Sequence, residues 1–558
     1  MFVGALLETL SIGAVLPAIA IISDPDVMDK YPQLNILFEH FNLNDFNDFV
    51  IFAICVLGLI FIFKTIYMGV LLWFQVKFAF NLQTSLSTRL FKLYLSQPYS
   101  FFLNNNSSKL ITNTTNEIYL FTFQGILPLM IVILETLVLT AVLVLLLRLE
   151  PYGTLSIFLV CGSISSIFYY VTRKKITNWG LVRQENDSQR LKYLQQGFGG
   201  IKEIKLYHRQ ESFINLFLFH SKKSANIGHL HNVMQQYPRQ WFELIAVISV
   251  IILILFMLNQ GKVISTIIPI VGVFAMAAFR LMPSVVRILA SLQSMRFGLT
   301  IIDFLFNEFS LDKNSQKNRT EKKEAIPFNK KIELKKVDFS YSDSSKKILN
   351  NFSLTITKGK TIGIKGKSGS GKSTLIDIII GLLSPQSGSV VFDDKHIISN
   401  SNKSLAYLIG YVPQSIFFTD DSIRKNIALG IEDNQIDNKK ILRCLKLSQL
   451  FEFVDALPEG IDTNIGEGGV RLSGGQRQRI GIARALYNDP QILLFDESTS
   501  SLDKETALDV VSSINKLRGK KTIIVVSHQT ELMSGCDEIY HMTNGRVILE
   551  PLKKNDES

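Results

Sequence analysis

The feature that most constrains this chain is a series of long apolar runs in its amino-terminal half. Each run has about 20 residues or more, the length that an α-helix needs to cross a hydrocarbon core of about 30 Å. The runs predict six membrane-spanning helices, at residues 2–22, 49–74, 120–147, 153–171, 241–258 and 266–290. Such a chain is a multi-pass membrane protein.

The charge pattern of the loops predicts the orientation of these helices. Segment 23–48 carries six acidic residues and a single lysine, whereas segment 172–239 is rich in arginine and lysine. Because cytoplasmic loops hold the excess of positive charge, segments 77–117 and 172–239 are predicted to be cytoplasmic. The net charge of +11 therefore does not indicate nucleic-acid binding. Both segments are polar and compatible with helix, so the spans are expected to extend beyond the membrane.

A change in composition divides the chain. Residues 1–310 form the predicted transmembrane domain, and the charged stretch that follows, with few large apolar residues, predicts a linker at 311–328. In residues 329–558, short β-rich runs alternate with helical patterns. That alternation predicts an α/β domain built on a mainly parallel sheet. No internal repeat is visible, so a two-fold assembly would need a second chain.

One motif in the α/β domain predicts phosphate binding. Gly366 to Ser373 fits G-x-x-x-x-G-K-[ST] and follows the predicted strand Thr361–Lys365. Its glycines let backbone N–H groups close around phosphates, Lys372 would reach the β- and γ-phosphates, and the Ser373 hydroxyl would ligate Mg²⁺. The strand–loop–helix context argues against a merely flexible glycine loop. The predicted phosphate-binding residues are Gly366, Ser368, Gly369, Ser370, Gly371, Lys372, Ser373 and Thr374.

A second motif supplies carboxylates. The apolar strand Ile492–Phe495 ends in Asp496 and Glu497. Asp496 would hold Mg²⁺, and Glu497 would polarise the water that attacks the γ-phosphate. Two acids can also simply cap a strand end, but a phosphate-binding loop upstream favours the catalytic reading.

The third motif resembles a known family. Leu472-Ser473-Gly474-Gly475-Gln476 opens a predicted helix at Arg477–Leu486, and it resembles the signature sequence of the ABC ATPases. The resemblance implies that Ser473, Gly474, Gly475 and Gln476 face the γ-phosphate of an ATP held by the phosphate loop of a partner chain. A helix amino terminus suits that role. The chain is therefore expected to work as a homodimer with ATP between the two copies.

Three further positions match this family one at a time. Tyr341 stands where the family stacks an aromatic ring on adenine, and Gln414 stands where a glutamine contacts Mg²⁺ and the attacking water. His528 stands where a histidine contacts the γ-phosphate, although a lone histidine after an apolar strand is often structural. The expected catalytic residues are therefore Glu497, His528 and Gln414, and the expected Mg²⁺ ligands are Ser373, Gln414 and Asp496.

The membrane domain resembles the half-transporters of ABC exporters, whose loops near Pro98–Asn104 and Tyr207–Phe217 would dock on the ATPase domains. Arg280 lies about 20 Å deep in the sixth span at 1.5 Å per residue, and Arg287 follows two turns later on nearly the same face. Doubled in a dimer, these arginines would suit an anion such as pyrophosphate. The alternative is that Arg287 reaches the cytoplasmic surface and Arg280 pairs with Glu135 or Glu243.

A closer resemblance concerns the cargo. Glu8–Pro17 and Arg280–Arg287 look like segments of the PglK family, the lipid-linked-oligosaccharide flippases of bacterial protein N-glycosylation. This implies ATP-driven transfer of a polyprenyl-pyrophosphate-linked oligosaccharide from the inner to the outer leaflet of the bacterial inner membrane, with the ATPase domain in the cytoplasm. The departure is the missing cytoplasmic lead-in before Met1. Alternatives are an exporter of hydrophobic drugs or of lipids such as lipid A, a peptide exporter, and a regulatory module without transport.

Overall fold

The computed structural model forms two compact units. The first comprises Met1–Gln97 and Asn105–Asn314, and the second comprises Pro98–Asn104 and Ser315–Ser558. The main division thus falls at Asn314, inside the predicted linker, and the preceding helix continues to Gln316. The residues described are 1–23, 46–149, 151–259, 264–316, 328–341, 346–393, 396–397, 405–497, 511–512, 514–533 and 535–550.

The first unit consists of helices, several of which are longer than a membrane is thick. Helices of 49 to 53 residues are about 75 Å long, whereas a hydrocarbon core measures about 30 Å. The expected extension of the spans agrees with these lengths. The helices of this unit are α1 (Phe2–Ser23), α2 (Phe46–Leu95), α4 (Ser107–Thr112), α5 (Ile118–Leu120), α6 (Leu127–Leu149), α7 (Pro151–Gly199), α8 (Ile201–Leu206), α9 (Gln210–Asn259) and α10 (Ile264–Gln316).

Four helical stretches among the described residues are long and apolar enough to cross a membrane. They are Val50–Leu95, Ser107–Leu145, Gln210–Asn259 and Leu281–Leu311. Predicted spans 2–22 and 153–171 coincide with α1 and the first part of α7, and predicted span 266–290 overlaps the fourth stretch at 281–290. All three helices include residues whose side chains lie outside the described part. The transmembrane helical domain is confirmed, and its count of six spans stays a prediction.

Irregular helix precedes the third predicted span and continues into its first residues. Two π-helical turns, Asn113–Glu117 and Phe121–Ile126, flank the single turn α5. Such bulges occur often at functional sites and at places where a buried polar group distorts the hydrogen-bond ladder. Glu117, at the end of the first bulge, is fully buried, which supplies such a group.

Three buried charged residues, here called the Arg183 cluster, join two helical segments of the first unit. Arg183 on α7 donates to Glu117 at 3.0 Å and lies 3.6 Å from Asp187. Asp187 also accepts from Ser224 on α9 at 2.7 Å. The three side chains are at most 9% exposed. A buried cation between two carboxylates fixes the segments to each other, because removing any member leaves a charge without compensation.

A second ion pair joins α1 to α2. Lys64 lies 2.7 Å from Glu8, and the Glu8 side chain is 4% exposed. Helix α1 also packs its Ala5 against Val138 and Val142 of α6 in a small apolar cluster. Charged residues inside an apolar helical domain are costly unless paired, which explains the close contact.

The second unit contains two sheets. The strands are β1 (Lys331–Phe339), β2 (Leu349–Thr357), β3 (Thr361–Gly366), β4 (Ser387–Phe392), β5 (His396–Ile397), β6 (Ile409–Val412), β7 (Ile492–Asp496), β8 (Thr522–Val526), β9 (Glu538–Thr543) and β10 (Arg546–Glu550). The helices are α3 (Tyr99–Asn104), α11 (Lys372–Ile379), α12 (Leu405–Leu408), α13 (Ile423–Ile427), α14 (Asn438–Leu447), α15 (Phe451–Asp455), α16 (Gly474–Leu486) and α17 (Thr530–Met533). Helix α3 lies in the loop predicted to dock on an ATPase domain.

The larger sheet has the order β10-β9-β3-β8-β7-β6, with all neighbours parallel except β10. This confirms the predicted parallel α/β core. The smaller sheet, in the order β2-β1-β4-β5, is antiparallel. In β1 and β2 many buried positions alternate with less buried ones, as expected for a sheet with one face on the core. Every residue of β7 and β8 is buried, because helices cover both faces of a parallel sheet.

Candidate active site

The sheet order brings four predicted site segments to one edge. The strands β3, β8, β7 and β6 are consecutive neighbours and parallel, so their carboxyl ends lie side by side. The phosphate loop follows β3, His528 follows β8, Glu497 follows β7 and Gln414 follows β6. In open α/β sheets ligands bind at this edge.

The phosphate loop needs its glycines for steric reasons. Gly369 and Gly371 have φ angles of +77° and +100°, a region that residues with a side chain rarely adopt. At Gly366, an added Cβ would lie 2.6 Å from the Met542 carbonyl oxygen. The loop therefore stays close to the sheet and turns directly into α11, whose amino terminus suits an anion.

Two polar side chains of the loop are arranged for phosphate. The Lys372 side chain is 7% exposed, and its Nζ donates to the Gly366 carbonyl at 2.8 Å. Ser370 Oγ is buried and has no hydrogen-bond partner within the described part of the chain. An unsatisfied buried hydroxyl is costly, so a phosphate oxygen at this place would stabilise the loop. The loop residues fit ATP.

The side chains of three segments meet the carboxylate of Glu497, which belongs to the fourth. Its Oε2 accepts from Gln414 Nε2 at 3.1 Å. Its Oε1 lies 3.4 Å from His528 Nε2 and 3.7 Å from Lys372 Nζ. Lys372 Nζ is also 3.1 Å from His528 Nε2. The sequence-predicted residues Glu497, His528, Gln414 and Lys372 thus form one constellation around a carboxylate.

The backbone at Glu497 is strained. Its φ angle is +44°, which costs a non-glycine residue roughly 1–2 kcal/mol. Its N–H donates to the Val526 carbonyl at 2.8 Å, and this bond to the neighbouring strand helps to hold the conformation. Residues in such conformations cluster at active sites. The turn places the carboxylate among the other three segments.

The neighbouring acids carry excess negative charge. Burial, and then the charge of Glu497, raise the pKa of Asp496. Burial, and then the charge of Asp496, raise the pKa of Asp377 on α11 to about 6. The Tyr411 hydroxyl donates to Asp496 Oδ2 at 3.4 Å. Clustered carboxylates of this kind suit a hard divalent cation.

Sequence reasoning missed Asp377 and Tyr411. Asp377 is a lone acid within the apolar helix Lys372–Ile379, a pattern that could have indicated a polar contact. Tyr411 is the third residue of the short strand β6, and its side chain is partly buried while its neighbours are buried. Nothing in the sequence alone indicates that its hydroxyl reaches Asp496.

Tyr341, predicted to stack on adenine, lies beside the phosphate-loop helix. Its hydroxyl is 3.1 Å from Thr374 Oγ1, and its ring packs edge-on against Phe339 with centroids 5.2 Å apart. The residue is 36% exposed. Two contacts fix the ring while part of it remains accessible, which is compatible with stacking.

The signature residues form a separate site. Ser473 caps α16: its Oγ accepts from Gln476 N at 3.2 Å, and Gln476 Oε1 accepts from Ser473 N at 2.8 Å. The apolar residues of α16 belong to one hydrophobic core, and those of the phosphate-loop helix α11 belong to another. The described hydrogen bonds of Ser473 do not involve the phosphate loop.

Ser473→Ala is expected to reduce ATP hydrolysis far more than stability. Losing the cap costs about 1 kcal/mol, but in the predicted role the hydroxyl would face the γ-phosphate of a partner's ATP, and its loss would cost about tenfold in rate or more. Ser422→Ala is the matched control, because Ser422 caps α13 through Lys425 N in the same way. Thermal unfolding and ATPase rate of both full-length variants test this. Equal rate losses in the two variants would contradict the predicted role.

Family comparisons agree with this arrangement. The ABC transporter family matches residues 349–500, and the ABC transporter transmembrane region matches residues 32–224. The structure is similar to that of a bacterial Atm1-family ABC exporter with ATP bound, with a TM-score of 0.77 and 21% identity, covering 98% of this chain and 93% of that one. This chain is an ABC exporter half-transporter. It binds and hydrolyses ATP to drive transport.

Among the curated relatives of this ABC exporter are proteins named as lipid flippases. An ATP-dependent lipid A-core flippase of Ralstonia nicotianae is 26% identical over 474 residues, covering 83% of this chain and 78% of the relative. A protein of the same name from Shewanella denitrificans is 39% identical over 213 residues, covering 38% of this chain and 35% of the relative. Both relatives are named for lipid A-core, and neither name refers to a lipid-linked oligosaccharide.

The two predicted substrate arginines of the exporter, Arg280 and Arg287, both belong to helix α10. The Arg280 side chain lies outside the described residues. Arg287 is held by Glu135, with Nε donating to Oε1 at 2.5 Å and Nη2 to Oε2 at 3.2 Å. Glu135, predicted as a possible partner of Arg280, is thus paired with Arg287, and Glu243 is paired with Arg239 at 3.0 Å.

Proposed function

We propose that this half-transporter is an ATP-driven flippase that, as a homodimer, moves a lipid with a phosphorylated, sugar-bearing head group from the inner to the outer leaflet of a bacterial cytoplasmic membrane. The observation that carries the proposal is Arg287, a cation of the helical domain whose side chain is 45% exposed. A partly open guanidinium in an apolar domain is suited to an anionic head group. The ATPase domain lies in the cytoplasm.

The hydrolytic step assigns a role to each residue of the constellation. Glu497 accepts the proton of the attacking water, with Gln414 orienting its carboxylate. Lys372 and the backbone of the phosphate loop hold the β- and γ-phosphates, and His528 donates to the γ-phosphate. Each group comes from a different strand end, so that the sheet sets their spacing.

The donor set fits Mg²⁺. Asp496 supplies a carboxylate, while Ser373 and Gln414 supply neutral oxygens, the ligand types that this ion prefers. The raised pKa of Asp496 reflects negative charge that a cation would offset. When bound, the ion neutralises charge that develops on the transferred phosphoryl group.

Homodimerisation is supported by the separation of the two nucleotide-binding elements. The helix α16, which the signature residues open, packs in one core of the ATPase unit, and the helix α11, which follows the phosphate loop, packs in the other. In a homodimer, each ATP would be bound by the phosphate loop of one copy and the signature of the other. ATP would stabilise the closed dimer, and hydrolysis would remove that stabilisation.

Two cargoes share the required chemistry. A polyprenyl-pyrophosphate-linked oligosaccharide and lipid A both join anionic phosphate and sugar to long apolar chains. The resemblance of Glu8–Pro17 and Arg280–Arg287 favours the first, and the names of the relatives favour the second. Purified protein in proteoliposomes, with each fluorescent lipid in turn, would be assayed for ATP-dependent exposure to an external reagent, with Glu497→Gln as the inactive control. Transfer of neither lipid, with ATPase stimulated by drugs instead, would overturn the proposal.

Arg280→Ala is expected to lower lipid transfer at least about tenfold, since a lost charge-assisted contact costs about 1.5–3 kcal/mol. Transfer in proteoliposomes measures the effect, and thermal unfolding checks the fold. Arg239→Ala is the control, because its ion pair with Glu243 is exposed and contributes little. Normal transfer by Arg280→Ala would remove this residue from the head-group site.

A further inference from the structure

We infer that Glu135 is a positioning residue for Arg287: it holds the guanidinium by its side edge and leaves the terminal edge open to the phosphate oxygens of a lipid head group. The inference rests on the proposed function and adds a specificity-determining residue to it. Neither the motif pattern nor the resemblance assigned Glu135 to the cargo.

The hydrogen bonds define which edge is used. Glu135 accepts from Nε at 2.5 Å and from Nη2 at 3.2 Å, which is the side edge of the guanidinium. A guanidinium has five N–H donors in one plane. Two of these N–H groups donate to Glu135, so Glu135 does not use the two N–H groups on Nη1 or the second N–H group on Nη2. The Nη1 and Nη2 donors of the terminal edge match two oxygens of one phosphate.

The two side chains of the Glu135–Arg287 ion pair are unequally buried. The Glu135 side chain is 8% exposed and that of Arg287 is 45% exposed. The neighbours of Glu135 along α6, Leu134 and Val138, are 8% and 1% exposed. The carboxylate is therefore fixed in the packed part of the helical unit, and the guanidinium extends from it toward open space.

Among the other ion pairs in the described part of this unit, Arg190–Asp187 is also unequally exposed, at 41% and 9%, but its two members lie on the single helix α7, and the remaining pairs do not have this asymmetry. In the Arg183 cluster both partners are buried, with Arg183 7% and Glu117 0% exposed. In the Arg239–Glu243 pair both are exposed, at 70% and 48%. The first arrangement is structural and the second is a surface pair within one helix. The Glu135–Arg287 pair combines an anchored acid with an accessible base, which is the arrangement of a preorganised ligand-binding arginine.

The opposite role would be competition, with Glu135 occupying the donors that a head group needs. Competition requires that ligand and carboxylate use the same edge. Because the terminal edge is not used by Glu135, both can bind at once. Positioning therefore predicts that removal of Glu135 weakens anion binding, whereas competition predicts that it strengthens binding.

The test uses the full-length protein in phosphatidylcholine nanodiscs and radiolabelled polyprenyl pyrophosphate as the probe. Glu135→Ala is expected to raise the dissociation constant about tenfold, because the released Arg287 side chain must then be ordered when the probe binds. Glu135→Gln, which keeps an accepting oxygen, should show a smaller rise. Glu243→Ala is the matched control and should bind as the wild type does. An unchanged or lower dissociation constant for Glu135→Ala would overturn the inference.

A double variant separates positioning from a structural role. Glu135→Leu with Arg287→Met replaces the pair by apolar residues, which often keeps stability. It should unfold near the wild-type temperature and lose binding of the probe. Probe binding at the wild-type level would mean that the pair serves only to hold α6 and α10 together.

Two further comparisons distinguish the possible failures. If the wild type transfers lipid but Glu135→Ala binds normally, only the role of Glu135 fails. If the wild type neither binds the probe nor transfers lipid, the proposed function fails as well. Inorganic pyrophosphate is the competitor: displacement only at large excess supports a lipid ligand, and displacement at equal concentration would assign the site to a free anion.

Discussion

Glu497→Gln is expected to bind ATP normally and to hydrolyse it about 10²–10⁴-fold more slowly, the usual contribution of a general base. The amide keeps the hydrogen-bonding shape near Gln414 and Lys372 but cannot accept the proton of the attacking water. Because ATP stabilises the closed state and is not consumed, the variant should accumulate as a closed dimer. Single-turnover hydrolysis and cross-linking of the ATPase domains measure the two effects.

Two controls make this test specific. Glu459→Gln removes an exposed carboxylate from the same unit and should retain the wild-type rate. ATP affinity, measured separately by equilibrium binding, should be unchanged in Glu497→Gln. Wild-type turnover in this variant would assign the proton transfer to another group, with His528 as the nearest candidate.

The second large effect is on stability. Arg183→Met is expected to destabilise the helical unit by about 3–5 kcal/mol, because it leaves Glu117 buried without its cation and Asp187 with Arg190, at 3.6 Å, as its remaining described cation. Glu117 is fully buried, so water cannot replace the lost partner. Thermal unfolding in detergent, monitored by the loss of monodisperse protein, measures the change in stability.

Two further variants test whether the buried charge is the cause of this destabilisation. Adding Glu117→Gln to Arg183→Met removes one uncompensated charge and should restore part of the lost stability. Arg239→Met breaks an exposed ion pair in the same unit and should change stability by less than about 0.5 kcal/mol. If Arg239→Met and Arg183→Met were equally harmful, burial of the charge would not explain the effect.

The sequence predicts that the proposed site residues lie close together, because they belong to short motifs that follow parallel strands. Once Ile492–Phe495 and Thr522–Val526 are recognised as buried strands, Glu497 and His528 must emerge at the same edge as the phosphate loop. What the sequence does not predict is the order of the strands, and with it the contacts of Glu497 with both His528 and Gln414. The left-handed backbone of Glu497 also has no local signal, since it depends on the neighbouring strand β8.

In the helical unit, apolar runs predict spans but not partners. Glu135 and Arg287 are 152 residues apart and Glu117 and Arg183 are 66 apart, and any acid on a neighbouring helix would have been an acceptable partner. The sequence narrowed the choice for Arg280 to Glu135 or Glu243, whereas in the structure both acids bind other arginines. Which acid meets which base depends on helix rotation and on irregular turns such as Asn113–Glu117, and these are set by packing of the whole unit.

The length of the helices has a mechanical consequence. Helices α7 and α9 have 49 and 50 residues and are joined by the contacts of Ser224 with Asp187 and of His220 with Asn186. A rod of about 75 Å that tilts by about 5° at one end moves its other end by roughly 6 Å. Such paired helices can act as levers, because a displacement at one end too small to break a side-chain contact becomes several ångströms at the other end.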